Sequence, residues 1–310
     1  MFSVIFPGQG SQSVGMAKEI YEKYSIVKDI FFRADKALGF NLSNIILNGP
    51  SSIMNLTENT QPAIFVVSYS FFTIIKKEFN IDLNKAKFFA GHSMGEFSAL
   101  ACANALDFEE TVCLLNKRGK SMQVAVPVGE GGMLAVLGKD VDEIDKILNE
   151  NDNFKKKCQI ANDNCPGQVV VSGEVSAIKI LQENLKKNSV KSINLPVSAP
   201  FHSFLMKKST EIMTKHINSA NIKKPSPKII SNVTADEKDD VDEIRNLLIK
   251  QIESKVRWME SIQYMIDNHV SKFIEIGPGK VLSGLVKRIN KNVKTLSINN
   301  EENIKQITLL

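Results

Sequence analysis

One serine stands between two glycines in the segment Gly91-His92-Ser93-Met94-Gly95-Glu96. The apolar run Phe88-Phe89-Ala90 before it predicts a strand, and the pattern from Gly95 onward predicts a helix. A sharp turn from a strand into a helix holds a serine hydroxyl above the sheet and tolerates only small residues two positions away. The helix also directs its N-terminal N–H groups there, where they favour developing negative charge. The spacing predicts that Ser93 is a nucleophile; the alternative is a tight turn with an incidental serine.

A serine hydroxyl is a poor nucleophile without a base, and the chain has four histidines. His202 follows the segment Ser198-Ala199-Pro200-Phe201, where we expect a seam between two parts of the chain and therefore a site. We predict that His202 is the base, the alternative being a histidine that caps a helix. His92 adjoins the serine, so its side chain should point elsewhere. We expect His216 in the core, on the apolar stripe of a helix, and His269 in a solvated turn.

A second glycine-rich segment, Pro7-Gly8-Gln9-Gly10-Ser11-Gln12, follows the predicted first strand. It is not a dinucleotide-binding fingerprint, because Ser13 stands where the third glycine would be, and no Gly-Lys-Ser/Thr of a phosphate loop follows. Bare backbone N–H groups at the end of a strand would suit an oxyanion hole, together with the N–H group that follows Ser93.

The elements that must position these residues alternate between strand and helix. This order predicts an α/β fold with a mainly parallel sheet covered on both faces. Helices are predicted over about 17–38 and 61–79, the second with Pro62 near its first turn. Residues 130–198 follow the order β-α-β-β-α-β, which is that of a ferredoxin-like unit. We therefore expect a core of residues 1–129 and 199–310, with residues 130–198 as an inserted subdomain.

The composition is that of an ordinary globular protein, with 310 residues, 43% hydrophobic and 24% charged. The formal net charge of +5 is dispersed, and no basic run carries interleaved aromatic residues, so no nucleic-acid partner is indicated. The charge fits either a solvated lysine-rich surface or a surface that receives an acidic partner. The longest apolar stretch, residues 63–75, is shorter than the roughly 20 residues of a membrane span, so we predict a buried helix and no membrane partner.

The cysteines indicate neither a zinc site nor a redox dithiol, because no two of them form a Cys-x-x-Cys pair. Free thiols in apolar surroundings fit a reducing compartment, and no basic segment of a signal peptide precedes the first strand. We therefore expect a cytoplasmic protein. The four cysteines are Cys102, Cys113, Cys158 and Cys165.

Six segments together resemble the malonyl-CoA:acyl-carrier-protein transacylases of fatty-acid synthesis, in the family's order and over nearly the whole chain. They are FPGQGSQ (6–12), GHSMGE (91–96), RGKSMQ (118–123), PGQVVVSG (166–173), PFHS (200–203) and EIGPGKVLSGL (275–285). The resemblance implies an α/β-hydrolase-like core with an inserted ferredoxin-like subdomain. It also implies transfer of a malonyl group from malonyl-CoA to Ser93, and then to the phosphopantetheine thiol of an acidic acyl carrier protein. No metal or redox cofactor is required for this chemistry.

The resemblance also implies roles for further residues. Arg118 would pair with the free carboxylate of the malonyl group, a task that suits a buried, bidentate guanidinium; its segment alone indicates a solvated basic helix end. The backbone carbonyl of Gln251 would orient His202 in place of an acidic residue. The backbone N–H groups of Gln9 and Met94 would form the oxyanion hole. The remaining expectations are an apolar lining of Met122, Met133 and Phe201, with Asn162 supporting the site from behind. Phe201 would leave little room for an α-methyl branch, which favours malonyl over methylmalonyl.

Three other functions stay open at this point. A serine esterase or thioesterase would use the same turn with water as acceptor and would leave Arg118 without a task. A polyketide-type acyltransferase that serves a synthase in trans shares every motif, although a free-standing chain favours fatty-acid synthesis. A carrier-protein binding module would need neither Ser93 nor His202, and both are present. We further expect the protein to be a monomer.

Overall fold

The computed structural model describes residues 1–197 and 199–307. Strands and helices alternate along most of these residues. In chain order they are β1 (Phe2–Phe6), α1 (Lys18–Lys23), α2 (Ser25–Leu38), α3 (Leu42–Asn48), α4 (Ser51–Met54), α5 (Thr57–Lys77), β2 (Phe88–Gly91), α6 (Gly95–Cys102), α7 (Phe108–Val124), β3 (Gly131–Leu137), α8 (Val141–Glu150), β4 (Cys158–Cys165), β5 (Gln168–Glu174), α9 (Val175–Lys187), β6 (Lys191–Asn194), α10 (Lys207–Ser219), β7 (Lys228–Ile230), β8 (Glu237–Lys238), α11 (Val241–Lys250), β9 (Val256–Arg257), α12 (Trp258–Asp267), β10 (Lys272–Ile276), α13 (Val281–Ile289), β11 (Lys294–Ile298) and α14 (Glu301–Lys305).

The larger sheet has the strand order β11-β10-β1-β2-β7-β8. Its neighbours run parallel except for the antiparallel edge pair β7–β8. Alternate residues of β1 face opposite sides of the sheet, since Val4 and Phe6 belong to one buried cluster and Ile5 belongs to another. Apolar side chains therefore cover both faces. This confirms the predicted α/β fold with a mainly parallel sheet.

The smaller sheet has the order β6-β3-β5-β4-β9. Its first four strands are antiparallel and, with α8 and α9, follow the predicted order β-α-β-β-α-β. Along β3, Leu134 and Val136 pack in a separate cluster under those two helices, whereas Met133 and Ala135 join the main core. Strand β9 pairs parallel with β4 and comes from outside residues 130–198. The boundaries of the inserted subdomain stay a prediction.

The predicted helix over 17–38 is wrong as a single element. It is divided at Tyr24, whose φ of −109° and ψ of 119° are those of extended backbone. The buried positions Ile20, Val27 and Ile30 continue the helical spacing across the break, and this spacing predicted one helix. Next to the break, Lys23 binds the Glu301 carboxylate at 2.6 Å, a long-range contact that local periodicity does not encode.

Helix α5 begins at Thr57, earlier than predicted, so Pro62 stands in its second turn and not near its first. Proline has no N–H group, so Pro62 cannot donate to the carbonyl oxygen of Glu58. The Asn116 side chain supplies the missing donor, with Nδ2 at 2.9 Å from that oxygen. A Cβ on Gly119 would lie 2.5 Å from the Thr57 carbonyl oxygen, so α7 packs on α5 at close range.

The apolar stretch over residues 63–75 lies within α5 and is buried along nearly its whole length, as predicted. Within residues 1–197 and 199–307, no helix is long and apolar enough to cross a membrane.

We expect Asn116→Ala to destabilise the protein by about 0.5–1.5 kcal/mol, because it removes the side-chain donor to the part-buried Glu58 carbonyl. Adding Pro62→Ala restores a backbone N–H at that place, so the double variant should recover part of this loss. Chemical denaturation of the two single variants and the double variant measures both effects. Strictly additive losses would show that Asn116 does not replace the missing N–H group of Pro62.

Candidate active site

Ser93 lies on a strained turn between β2 and α6, with a φ of 53°. The two flanking glycines allow the chain to cross itself here. A Cβ on Gly91 would lie 1.9 Å from the carbonyl carbon of Gly95, and a Cβ on Gly95 would lie 2.4 Å from the Phe6 carbonyl oxygen. Contacts this short exclude any side chain, so the sequence requires glycine at both positions. The turn has the predicted geometry, with a strand before the serine and a helix after it.

His202 lies beside the serine, with Nε2 at 2.7 Å from Ser93 Oγ. Its Nδ1 lies 2.9 Å from the backbone oxygen of Gln251. A carbonyl only accepts, so Nδ1 carries the hydrogen and Nε2 is left as an acceptor for the serine proton. Burial, with the nearby Arg118 cation, lowers the pKa of His202 to about 3. The imidazole is therefore neutral at neutral pH and can act as a base. The structure therefore brings the predicted base next to Ser93, and brings the Gln251 carbonyl that the resemblance implied next to that base.

Two residues whose backbone N–H groups are candidate donors, Gln9 and Met94, line the cavity that Ser93 lines. Gln9 follows β1 in the glycine-rich loop, and Met94 immediately precedes α6. Among the described residues, neither of these N–H groups donates to an acceptor. An oxyanion hole requires free N–H donors close to the nucleophile. The assignment of Gln9 and Met94 to that hole stays a prediction that this geometry supports.

Arg118 is buried, with 1% of its surface exposed, on α7. Its Nη1 donates to Gln61 Oε1 at 2.9 Å, and its Nη2 donates to Gln251 Oε1 at 2.9 Å and to Ser93 Oγ at 3.2 Å. Nε has no partner, and no carboxylate among the described residues lies within 4.0 Å of the guanidinium. Burial lowers its pKa to about 10, which leaves it a cation at neutral pH. The interpretation as a solvated helix end is wrong.

The cavity above Ser93 has a volume of about 110 Å³. Its apolar wall includes the three predicted residues, Met122, Met133 and Phe201. Asn162 also lines this cavity, so it lies on the wall and not behind the site. A larger cavity of about 260 Å³ shares part of the wall, including Gln9 and Asn162, and extends to α13. The two cavities are therefore adjacent, and only the smaller one is lined by Ser93.

Among the described residues, no imidazole other than that of His202 forms a hydrogen bond with the Ser93 hydroxyl. His92 Nε2 lies 2.8 Å from Asn164 Oδ1, and its ring packs against Trp258. His269 is exposed, as predicted. His216 is partly exposed, so its predicted place in the core is wrong; the outer edge of α10 is less covered than its apolar stripe suggested. The four cysteines are free, and burial raises the pKa of each thiol.

Sequence reasoning missed the residue that braces the serine turn. Asn232, just after β7, accepts from Ser93 N at 2.7 Å and donates through Nδ2 to the Gly91 oxygen at 2.7 Å. Its own N–H donates to Glu96 Oε2 at 3.1 Å. A signal was present, because polar residues at the carboxyl ends of neighbouring parallel strands lie together, and β7 is beside β2. The sequence does not reveal which strands are neighbours.

Gln159 on β4 holds the backbone around His202, and it was also missed. Its Nε2 donates to the His202 oxygen at 3.1 Å and to the Glu253 oxygen at 2.9 Å. Its Oε1 accepts from Phe204 N at 3.0 Å. The smaller sheet therefore fixes the loop that carries the base, which has a positive φ of 57° at His202.

A serine on a strand-to-helix turn, paired with a neutral histidine on an α/β scaffold, is the arrangement of enzymes that act on acyl groups with a serine nucleophile. Comparison with known sequences identifies the family within this class. The profile of the acyl transferase domain family matches residues 3–310. The chain belongs to that family.

Proteins similar to this chain have closely related names. A malonyl CoA-acyl carrier protein transacylase from Bacillus subtilis is 42% identical over 301 residues, which cover 97% of this chain and 94% of that protein. An acyl-carrier-protein-S-malonyltransferase from Bartonella henselae superposes with a TM-score of 0.95 at 39% identity, covering 99% of this chain and 98% of that one. A malonyl-transacylase solved with a type II PKS acyl-carrier protein has a TM-score of 0.94 at 33% identity, with 98% of both chains covered.

We expect Gly95→Ala to destabilise the protein by at least about 1–3 kcal/mol, because its Cβ would press on the Phe6 carbonyl and force the backbone apart. Gly284 is a matched control, since it lies in α13 with no heavy atom within 4 Å of a Cβ. Gly284→Ala should stabilise by up to about 1 kcal/mol. Chemical denaturation measures both changes. Equal effects of the two substitutions would contradict the close crossing at Gly95.

We expect His202 to make the folded protein less stable in acid. The unfolded chain binds a proton near the ordinary histidine pKa of 6.5, whereas the folded pKa is about 3, so stability falls as the pH drops between these values. The loss is at most about 1.4 kcal/mol per pH unit. The free energy of unfolding of wild type and His202→Gln, measured at pH 7.5 and 5, should therefore fall further in the wild type. Equal losses of unfolding free energy in the wild type and in His202→Gln would show that folding does not lower the pKa of His202.

Proposed function

We propose that this protein transfers a malonyl group from malonyl-CoA to the phosphopantetheine thiol of an acyl carrier protein, through an ester on Ser93. The names of its relatives support the substrate and the acceptor. The single observation that carries the proposal is the Arg118 guanidinium, a buried cation that touches Ser93 Oγ at 3.2 Å and has no carboxylate partner within the described chain.

In the first half of the reaction, Ser93 Oγ attacks the thioester carbonyl while His202 Nε2 takes its proton. The tetrahedral intermediate carries its negative charge on the former carbonyl oxygen, where the N–H groups of Gln9 and Met94 would stabilise it. The carbon–sulfur bond then breaks, and the proton on His202 passes to the departing coenzyme A thiolate. The product is a malonyl ester of Ser93.

The second half reverses these roles with a new thiol. His202 takes the proton of the phosphopantetheine thiol, and the sulfur attacks the ester carbonyl. The carbon–oxygen bond breaks, and the proton returns to Ser93 Oγ. The Gln251 carbonyl, 2.9 Å from Nδ1, keeps the imidazole in the tautomer that both halves require.

Arg118 gives this proposal its acyl-group selectivity. The malonyl group ends in a carboxylate, and the guanidinium can donate two parallel hydrogen bonds to it from a site that excludes water. Acetyl groups would leave the buried cation without an anion, which disfavours them. A serine esterase would need no such cation. The wall formed by Met122, Met133 and Phe201 favours a short, unbranched acyl chain over methylmalonyl.

We also propose a domain organisation, an oligomeric state and a location for this protein. We infer that residues 130–198 form the subdomain that covers the serine from the side of the smaller sheet, and that residues 1–129 and 199–310 form the core. The net charge of +5 suits an acidic carrier protein. A monomer in the cytoplasm is the form in which we propose that it acts.

Intact-protein mass spectrometry after mixing with malonyl-CoA tests the ester directly. The wild type should gain the mass of one malonyl group, and Ser93→Ala, which removes only one oxygen, should gain none. Labelling of the alanine variant at the same site would show that the nucleophile is wrongly assigned. Release of the label by water alone, and not by a carrier-protein thiol, would identify a hydrolase.

We expect Arg118→Ala to lower kcat/KM for malonyl transfer about 10- to 100-fold, the equivalent of a lost charge-assisted hydrogen bond of roughly 1.5–3 kcal/mol. The acetyl group has no carboxylate that could bind Arg118, so kcat/KM for acetyl-CoA should fall less or rise. The measurement is the ratio of the two constants in wild type and variant. Equal losses for both thioesters would mean that Arg118 does not recognise the malonyl carboxylate.

A further inference from the structure

We propose that Glu96 is a positioning residue for Arg118. By accepting a hydrogen bond from the side-chain amide of Gln251, it determines which end of that amide faces the guanidinium. This inference rests on the proposed function, in which Arg118 binds the acyl carboxylate.

Glu96 is the second residue of α6, and 2% of its surface is exposed. Its Oε2 accepts two hydrogen bonds, from Gln251 Nε2 at 2.7 Å and from the backbone N–H of Asn232 at 3.1 Å. These donors come from chain segments more than 130 residues away. Burying a carboxylate at this depth is costly unless hydrogen bonds replace its lost hydration. Neither contact involves substrate, so any effect on the reaction must pass through another residue.

Gln251 connects Glu96 to the reacting groups by hydrogen bonds. It is fully buried, and its Oε1 accepts from Arg118 Nη2 at 2.9 Å. Its Nε2 donates to Glu96 and also to the backbone oxygen of Ser93 at 3.1 Å. Its backbone oxygen accepts from His202. A single residue therefore touches the serine, the histidine and the arginine.

The chemistry of these partners allows only one orientation of the Gln251 amide. The guanidinium can only donate, so it needs the amide oxygen, and Glu96 Oε2, which already accepts from Asn232 N, needs the amide nitrogen. A flipped amide would set donor against donor and acceptor against acceptor. Each buried group left unpaired in this way loses its hydrogen bond without regaining one from water. Without Glu96, the acceptor left for Nε2 among residues 1–197 and 199–307 would be the Ser93 oxygen, at the longer distance of 3.1 Å.

The arrangement holds Arg118 without neutralising it by direct contact. Its anchors, Gln61 and Gln251, are uncharged amides. An acidic residue in their place would form a salt bridge and compete with the carboxylate of the substrate. The side-chain amide of Gln251 separates Glu96 from the guanidinium. Glu96 can therefore orient this amide without forming a hydrogen bond to Arg118 itself. Burial raises the pKa of Glu96 to about 7, with Arg118 as the charged group that opposes the shift. The carbonyl oxygen of a protonated Glu96 still accepts a hydrogen bond, so accepting does not depend on its charge.

Two substitutions separate hydrogen-bond acceptance from size and charge. Glu96→Gln keeps an oxygen that can accept from Gln251 and Asn232, whereas Glu96→Met has a similar length and no acceptor of comparable strength. We expect Glu96→Met to lower the malonyl-to-acetyl ratio of kcat/KM by about tenfold, the equivalent of roughly 1.4 kcal/mol. Glu96→Gln should keep that ratio within about threefold of wild type, because its acceptor is retained.

Glu301 offers a matched control, since it is a largely buried carboxylate whose partner is Lys23. Glu301→Met should leave the malonyl-to-acetyl ratio unchanged even where it lowers the melting temperature. A purely structural role of Glu96 would lower the folded fraction of Glu96→Met and leave the ratio of the two thioesters at its wild-type value. That result, or an equal fall of the ratio in Glu96→Gln and Glu96→Met, would overturn the proposal.

Crystal structures of the two unliganded variants test the same contact without any substrate. The Arg118 Nη2 to Gln251 Oε1 contact, now 2.9 Å, should persist in Glu96→Gln and be broken in Glu96→Met. Its persistence in both variants would overturn the positioning role. A wild type that does not prefer malonyl-CoA to acetyl-CoA would instead overturn the proposed function. The two failures are therefore distinguishable.

Discussion

The close crossing of α6 over the end of β1 is the constraint on which the site depends. The first residue of the helix, Gly95, lies against the Phe6 carbonyl, at a distance that leaves no room for a side chain. This contact brings the loop that carries Gln9 next to the turn that carries Ser93. It also directs the N-terminus of α6 at the serine, where negative charge develops in acyl transfer. Two separate segments thereby meet at one point above the sheet.

A buried cation is the second feature that shapes the site. Placing a guanidinium where 1% of its surface is exposed costs several kcal/mol in lost hydration. The fold offsets part of this cost with the amides of Gln61 and Gln251 and with the more distant charge of Glu96. The offset is incomplete, since Nε has no partner. In the proposed function, the carboxylate of the substrate would complete the hydrogen bonding of Arg118.

The smaller sheet contributes to the site through the alternation of its side chains. One face of β3 packs under α8 and α9, and the other places Met133 in the main core and on the cavity wall. Strand β4 contributes Gln159, which binds the backbone oxygen of His202 and the backbone N–H of Phe204. The histidine loop is thus held by one sheet and the serine turn by the other. The distance of 2.7 Å between these residues depends on how the two sheets pack.

Short-range patterns in the sequence predicted the strand–Ser93–helix turn, the position of His202 beside it and the β-α-β-β-α-β order of residues 130–198. Each of these depends on steric or periodic rules that act over a few residues. The break at Tyr24 and the exposure of His216 could not be predicted in this way, because both depend on what packs against the helix from elsewhere. The contacts of Asn232 and Glu96 with the serine turn join residues more than 130 positions apart. Only the tertiary structure decided them, because the packing of β7 beside β2 and of Gln251 under α6 determines which polar groups are buried together and must pair.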